Sequence, residues 1–488
     1  IHVLWERQDP GLLIMPSSIP LDDLSVQPLL TYYLEDPWIP VIERDIDGHN
    51  SLPLELDREN PNLGRYSATR RVSRTIFMGS APLQHSANKG LEDRQIRLGC
   101  AQPGESVATF GDSLRRLTDR AYHLYVEGNR YWYSTQQTVL RLAQDRALQY
   151  DRDTVLEEVE KRLRKEAVYR GDFTKVHACP NSSGDVPDDR ETRLVILRPE
   201  NCHSSNNEAS PGRLVAAELL EKHGNGPRHY RNALVFLAAD KARLTELEQA
   251  VRQYLAWVSI GNEVETLNLD AAQARQAVTK REQADETVKQ RIPETYQWLL
   301  VPAQSSPTDR LEWQQVRLQG QEALAVRASR KLKTDGILVD QMAGVTLRLE
   351  LDRVPLWRGA HVEIRQLIDD FAQYTYLPKL KNPDVLLAAV QDGVQLLTWQ
   401  EDAFAYASGW DEAKERYSGL RVGVVTSIIA DPSSLVVKAG VAARQLEIES
   451  KAVSHTGTTK DADSGHDGGG GVGVKAPNGV VKEPTPKE

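Results

Sequence analysis

The sequence predicts a mixed α/β protein of several domains, on the evidence of its length, its composition and its pattern of apolar residues. A chain of 488 residues is long enough for about two to four domains. The hydrophobic fraction of 40% and the charged fraction of 26% are ordinary for a globular chain. The runs LVILR and ALVFLA are almost wholly apolar, which is typical of strands covered on both faces, whereas other segments place apolar residues at helical spacing.

The composition excludes several classes of protein. No window approaches about eighteen consecutive apolar residues, so we expect no membrane span, and the first residues lack the basic start of a signal peptide. Three cysteines argue against a disulfide framework and favour a reducing, cytoplasmic setting. The formal net charge is −9, so any contact with nucleic acid needs a local basic patch.

Two helices are predicted in the first eighty residues. Near-helical spacing of apolar residues indicates a helix over residues 21–35, which Pro37 ends. A second, basic helix is predicted over residues 66–78. The segment between Arg65 and Ile76 holds four arginines and no acid, so the second helix should present a positive face.

A helix and an aromatic hairpin are predicted next. Residues 106–120 are amphipathic, and the aromatic runs on both sides of Gly128 and Asn129 indicate a β-hairpin with its turn at those two residues. A further helix is predicted over residues 136–148. Helices followed by a hairpin match a winged-helix-like arrangement.

The rest of the chain divides into four predicted parts. Residues 172–258 are expected to form an α/β unit with a partly parallel sheet. A long polar helix over residues 268–295 would connect modules. Residues 361–408 repeat the order of helix, helix and hairpin, with the hairpin predicted over residues 394–408. The segment Lys451–Glu488 holds eight glycines and no aromatic residue, so we expect a disordered tail.

Four quoted segments carry a family resemblance. YLEDPWIPVIERDIDGHNSLPLELD, ENPNLGRYSATRRVSRTIFMGSAP, IRLGCAQPGE and RYWYSTQQTVLRLAQDRA resemble the proteins grouped as domain-of-unknown-function family 499. These are P-loop, AAA-like ATPases related to the large ATPases of BREX-type phage-defence systems. For the whole protein the resemblance implies ATP and Mg²⁺ as cofactors, and DNA, a homo-oligomer and defence-system methyltransferase or helicase proteins as partners.

The resemblance also implies AAA-type lid and winged-helix-like modules around the small α/β sheet domain. The expected domains are the end of the ATPase core with its helical lid (1–104), a winged-helix-like module (105–150), the α/β module (151–260), a helical strut with a mixed region (261–360), a second winged-helix-like module (361–445) and the disordered tail (446–488).

The sequence contains no phosphate-binding loop. The tail segment GGGGVGVKA at 468–476 lacks the Gly-Lys-[Ser/Thr] ending that such a loop needs, because Val474 separates Gly473 from Lys475. It reads instead as low-complexity sequence. We therefore expect the chain alone to be inactive and the P-loop to lie upstream of Ile1, which makes the chain a C-terminal portion.

Arg70, Arg71 and Arg74 are the candidate nucleotide-sensing residues. In AAA-type ATPases an arginine on the helical lid reaches the γ-phosphate, and guanidinium suits that role because it stays charged and forks onto phosphate oxygens. Arg70 and Arg74 share one helix face. A solvated basic face and a contact with the DNA backbone remain alternatives.

Arg115, Arg116 and Arg130 are the candidate DNA-contact residues, because they lie beside the hairpin at 122–135. Binding there would be weak, indifferent to sequence and strongly dependent on salt. The alternative is that the hairpin aromatics fill a small core and the module contacts protein.

Two groups of residues have side chains that could ligate a metal. One comprises His177, Cys179, Cys202 and His203, whose spacing lacks CxxC, and the other comprises Asp185, Asp188 and Asp189, which loop chemistry explains better. No metal site is predicted.

The leading function is therefore the lid and accessory region of a cytosolic AAA-like ATPase, coupled to DNA-directed phage defence or DNA modification. The alternative is a non-enzymatic, winged-helix protein that binds nucleic acid or acts as a scaffold.

Overall fold

The computed structural model describes residues 1–34, 37–83, 89–205, 207–425 and 427–456. It confirms a mixed α/β protein, with 50% of residues in helices, 15% in strands and several small sheets. Two compact units are present: Ile1–Asp340 with Phe371–Asn382, and Gln341–Asp370 with the chain from Pro383 onward. Among the helices of the described residues, none has the length and apolar character needed to cross a membrane.

The first 133 residues are mostly helical and enclose one hydrophobic core. That core runs from Leu21 to Tyr133, with Trp38 and Phe110 fully buried in it, so it holds residues from both sides of position 104. The helices are α1 His2–Glu6, α2 Gln27–Thr31, α3 Trp38–Val41, α4 Leu52–Glu59, α5 Pro61–Gly64, α6 Ala68–Ser80, α7 Asp93–Cys100 and α8 Val107–Arg120. The strands are β1 Leu91–Glu92, β2 Leu124–Glu127 and β3 Arg130–Tyr133, in the order β1-β3-β2.

The predicted helices of this region are present to different extents. α6 and α8 match the predictions for 66–78 and 106–120 within two residues. The helix predicted over 21–35 is wrong in extent, because only Gln27–Thr31 is helical in its described part. Pro28 stands in the first turn of α2, and a proline fits that place but not the interior of a longer helix.

The predicted hairpin is present. β2 and β3 pair antiparallel, with Glu127 opposite Arg130, so Gly128 and Asn129 form the turn. Gly128 has a φ of +59°, which glycine adopts without a steric penalty.

A five-stranded mixed sheet forms the centre of the first unit and confirms the partly parallel sheet. β4 Lys175–Ala178, β5 Arg193–Ile196 and β8 Leu234–Ala239 are parallel, and β5 and β8 are completely buried. The sheet extends beyond residue 258, because β9 Tyr296–Ala303 and β10 Glu312–Arg317 add antiparallel to give the order β10-β9-β8-β5-β4.

Helices surround this sheet. They are α9 Val139–Gln149, α10 Arg152–Glu166, α11 Pro211–Glu221, α12 Lys241–Asn262, α13 Ala271–Thr295 and α14 Leu324–Thr334. α13 is the predicted long polar helix. The remaining short strands of the unit are β6 Lys222–His223, β7 Gly226–Pro227, β11 Leu338–Val339 and β13 Lys379–Leu380.

The second unit has a three-stranded antiparallel sheet in which Leu435–Lys438 (β17) lies between His361–Glu363 (β12) and Phe404–Ala407 (β14). Its elements, in chain order, are α15 Gly344–Arg353, β12 His361–Glu363, α16 Ile364–Gln373 (whose last turn belongs to the first unit), α17 Pro383–Gln395, α18 Trp399–Asp402, β14 Phe404–Ala407, β15 Gly409–Asp411, β16 Arg416–Ser418, β17 Leu435–Lys438 and α19 Ala439–Thr456.

Two predictions for the second unit are wrong. The hairpin expected within 394–408 does not form, because α17 continues to Gln395 and β14 pairs with the distant β17. The tail was expected to begin at residue 446, yet α19 reaches Thr456, and Leu446 packs against the hydrophobic core of this unit. Residues 457–488, with the glycine-rich segment at 468–476, lie outside the described residues.

Candidate anion site on the basic helix

The start of α6 is fixed by a carboxylate from an earlier helix. The backbone N–H groups of Thr69 and Arg70 donate to the two oxygens of Asp57, at 2.9 and 3.2 Å. Asp57 therefore satisfies two amides that the first turn of a helix leaves without a partner. This cap sets where the arginine side chains of α6 emerge.

Arg70 and Arg74 meet at one buried carboxylate, that of Asp47. Arg70 Nε donates to Asp47 Oδ1 at 2.9 Å, and Arg74 Nε donates to Asp47 Oδ2 at 2.7 Å. Asp47 has no exposed surface, and its Oδ2 also accepts the backbone N–H groups of Leu21 and Asp22. Burial raises the pKa of Asp47, and the charges of Arg74 and Arg70 act against that rise.

Asp22 is the second carboxylate on this face. The Nη2 atoms of Arg70 and Arg74 each lie 3.4 Å from an Asp22 oxygen, and Arg7 binds the same carboxylate at 3.1 Å. Burial alone would raise the pKa of Asp22, but the charges of Arg74, Arg70 and Arg7 outweigh burial and lower it. The positive face predicted for α6 is therefore neutralised by residues 22 and 47.

Arg71 has a different set of partners. Its Nη1 donates to Glu105 at 2.9 Å, and its Nη2 donates to the carbonyl oxygen of Cys100. The guanidinium also lies 5.1 Å from the ring centroid of Phe110. Arg71 thus connects α6 to the segment between α7 and α8.

A cavity of about 460 Å³ opens over these arginines. Arg65 borders it and differs from the other three, because within the described chain its guanidinium contacts the ring of Tyr66, at 5.3 Å, and no carboxylate. The lining consists of Asp9, Pro10, Gly11, Leu12, Ser17, Ser18, Arg65, Tyr66, Ser67, Arg70, Arg71, Arg74, Gln102, Pro103 and Glu105.

The three arginines predicted to contact DNA also have acidic partners. Arg115 and Arg116 both bind Asp112, at 2.5 and 3.0 Å. Arg130 lies 3.6 Å from Glu92 and donates to the carbonyl oxygen of Gly90 at 3.2 Å. These pairs are exposed, so they hold the side chains weakly, but they reduce the local positive charge.

The residues weighed as metal ligands have structural partners. Cys179 and Cys202 are buried free thiols, and the described part of the chain brings no three potential ligands of a metal ion together. Asp185 accepts the backbone N–H groups of Asn181 and Ser182, Asp188 accepts those of His229 and Tyr230, and Asp189 binds Arg193. This is the loop chemistry that the sequence favoured.

Comparison of the chain with protein-family models, with curated proteins and with solved structures found no match. The resemblance to the ATPase family therefore stays a prediction. The sequence reasoning did not anticipate Asp22, Asp47 and Glu105, because these acids are distant in sequence from the arginines that they bind.

Proposed function

We propose that the chain is the C-terminal lid and accessory region of a cytosolic AAA-like ATPase, coupled to DNA-directed phage defence or DNA modification. The observation that carries the proposal is the arginine-lined cavity at the start of α6. Its volume of about 460 Å³ lies within the range of roughly 300–1,000 Å³ that small-molecule sites occupy. Guanidinium groups at such a place suit the oxygens of a nucleotide phosphate.

In this proposal the arginines of the cavity have different roles. Arg70 and Arg74 are held by the buried Asp47 and set the position of the helix. Arg71 is held by Glu105 and the Cys100 carbonyl. Arg65 is exposed and binds no carboxylate among the described residues. It can therefore bind a phosphate without breaking an ion pair.

The order of elements supports the accessory modules of the proposal. In the first unit the order α6, β1, α7, α8, β2, β3, with the sheet order β1-β3-β2, is compatible with a winged helix. In the second unit α15, β12, α16, α17, β14 and β17, with the sheet order β12-β17-β14, follow a similar order, with α18 inserted before β14 and β15 and β16 inserted after it. ATP and Mg²⁺ would be held by a P-loop core outside residues 1–488. Methyltransferase or helicase proteins, DNA and further copies of the ATPase would be its partners.

The test is ATP hydrolysis by the ATPase core together with this chain. Arg65→Ala should lower the rate about tenfold or more, because an arginine that stabilises phosphoryl transfer is worth far more than a surface charge. The melting temperature should not change, since Arg65 makes no ion pair within the described chain. Arg94→Ala, which removes another exposed arginine, is the matched control. An unchanged rate for Arg65→Ala would refute the assignment.

The alternative is a non-enzymatic winged-helix protein that binds nucleic acid or acts as a scaffold, and a different observation favours the scaffold. Arg115, Arg116 and Arg130 are all paired with acids, which suits contact with protein better than contact with DNA phosphate. That reading predicts that no ATPase core copurifies with the chain and that Arg65→Ala has no effect on any hydrolysis present.

A further inference from the structure

Two arginines lie against the ring of Tyr122, which begins the segment leading into β2. The guanidinium carbon of Arg44 is 3.5 Å from the centroid of the ring, and that of Arg141 is 3.9 Å from it. Two planar cations cannot both cover one face of a ring at these distances, so they lie on opposite faces. Arg141 also donates through Nη2 to the Tyr122 hydroxyl.

The two arginines differ in their ionic partners. Arg141 is paired with Asp145 at 3.1 Å. Arg44 is exposed, and within the described part of the chain its guanidinium has the ring of Tyr122 as its contact and no carboxylate. A guanidinium that an aromatic ring holds in place, and that has no counter-ion, can bind an anion without first losing an acidic partner.

The backbone that carries Arg44 is unusual. Residues Ile42–Ile46 form a π-helical turn, a conformation that is rare and frequent at functional sites. The next residue in the turn, Asp45, is fully buried, and its Oδ2 accepts the backbone N–H groups of Tyr122 and His123 at 2.8 and 2.6 Å. One turn therefore fixes the backbone of Tyr122 through Asp45 and covers its ring with Arg44.

These side chains border a cavity of about 480 Å³. Arg120 adds a third cation, and Asn50 and Gln144 add neutral polar groups. Two acids line the cavity as well, Glu55 and Asp119. Arg120 is already paired with Glu55 at 3.3 Å and with Glu59 at 2.7 Å. The cavity shares no residue with the one over α6, so the two are separate places on the first unit.

We propose that the Tyr122 site, formed by Arg44, Arg120, Tyr122 and Arg141, binds a phosphate group. Arg44 brings a guanidinium without an acidic partner in the described chain, and Arg120 and Arg141, which keep their acidic partners, lie around the same cavity. A phosphate accepts several hydrogen bonds from such groups at once. The phosphate belongs either to a small phosphorylated molecule or to the backbone of a nucleic acid, since both present the same oxygens. A phosphate contact of this kind carries no sequence information.

Two probes separate these sources. Inorganic pyrophosphate is titrated into the full chain by calorimetry, and a fluorescein-labelled DNA duplex of arbitrary sequence is titrated by anisotropy at low and moderate salt. Arg44→Ala should weaken the binding of pyrophosphate about tenfold, the effect expected of one charge-assisted contact. If the bound phosphate belongs to a nucleic acid, Arg44→Ala should also weaken duplex binding. The slope of log affinity against log salt concentration should then fall by about the value of one phosphate contact.

Two control variants separate a loss of binding from a loss of folding or of charge. Arg94→Ala removes another exposed arginine of the same unit without an ion pair in the described chain, and it should bind both probes normally. Tyr122→Leu removes the ring that positions Arg44, and its melting temperature shows whether the variant folds. Loss of pyrophosphate binding with duplex binding absent or unchanged supports the site with a small phosphate as its ligand. The proposal is overturned if the native chain binds neither probe, or if Arg44→Ala binds both as the native chain does.

Discussion

Replacing Asp47 with asparagine tests whether the arginine face of α6 is part of the folding core. The carboxylate of Asp47 is completely buried and binds Arg70 and Arg74 at once. Asparagine has nearly the same shape but no charge, so the substitution leaves two guanidinium groups with one neutral oxygen between them. Their remaining acidic partner is Asp22, whose contacts are longer, at 3.4 Å.

The expected loss of stability follows from the burial of the pair. Breaking a buried ion pair by removing one partner costs about 3–5 kcal/mol. The arginine side chains are 21% and 12% exposed and keep Asp22, so we expect the lower end, about 3 kcal/mol. At about 2.1 cal/mol/K per residue, a unit of roughly 350 residues would then melt about 4 °C lower.

Differential scanning calorimetry of the chain measures this shift. The matched control is Asp112→Asn, because Asp112 also binds two arginines, Arg115 and Arg116, but does so at the surface. Surface pairs contribute about 0–1 kcal/mol, so the control should melt within roughly 1 °C of the native chain. Equal shifts for the two variants, or none for Asp47→Asn, would refute the view that the α6 arginines are held as a core element.

Three other outcomes are expected. The chain alone should release no phosphate from ATP, because its 488 residues contain no GxxxxGK[ST] segment, and Mg²⁺-dependent turnover would contradict this. Burial lowers the pKa of Lys379 to about 7, so between that pH and the unfolded value near 10.5 stability should rise with pH, by at most about 1.4 kcal/mol per unit. Lys379→Met should remove this rise in stability. If the native chain shows no such rise, the ammonium group of Lys379 stays charged and is stabilised by the carbonyl oxygens of Asn232 and Leu234. Removing residues 457–488, which hold no aromatic side chain, should leave the melting temperature unchanged.

Local sequence was sufficient where the structure depends on neighbouring residues. The turn of the first hairpin was predictable because Gly128 allows the backbone that a two-residue loop needs. α8 was predictable because its buried residues recur at helical spacing. The helix over 21–35 failed because the apolar spacing was weighed without Pro28, which limits where a helix can start.

Pairing between distant segments could not be read in the same way. The strand Phe404–Ala407 has a partner at Leu435–Lys438, and nothing near either strand specifies the other. A hairpin with a nearby partner was the simplest expectation for 394–408, but Val390 and Val394 are buried on α17 and continue that helix instead. The topology of the second unit therefore follows from tertiary packing.

The charge of the candidate site also depends on residues that are distant in sequence. The stretch from Arg65 to Ile76 contains no acid, which predicted a free positive face. The fold supplies Asp22, Asp47 and Glu105 from elsewhere, and charge neutralisation of this kind depends on which segments pack together. Sequence therefore placed Arg70, Arg71 and Arg74 on a helix but could not tell which arginines remain available to a ligand.

The arginines differ in whether a bound phosphate would have to displace a carboxylate. A phosphate that bound Arg70 or Arg74 would compete with Asp47, whose carboxylate is already buried and hydrogen-bonded, so binding would carry much of the cost of breaking that pair. A phosphate that bound Arg65 or Arg44 would displace no carboxylate of the described chain. Substitutions should therefore fall into two classes: those at Asp47 and its arginines lower the melting temperature, and those at Arg65 and Arg44 lower ligand binding or turnover at constant melting temperature. A variant of Arg44 or Arg65 that melts several degrees lower would show that its guanidinium stabilises the fold, and would remove it from the binding surface.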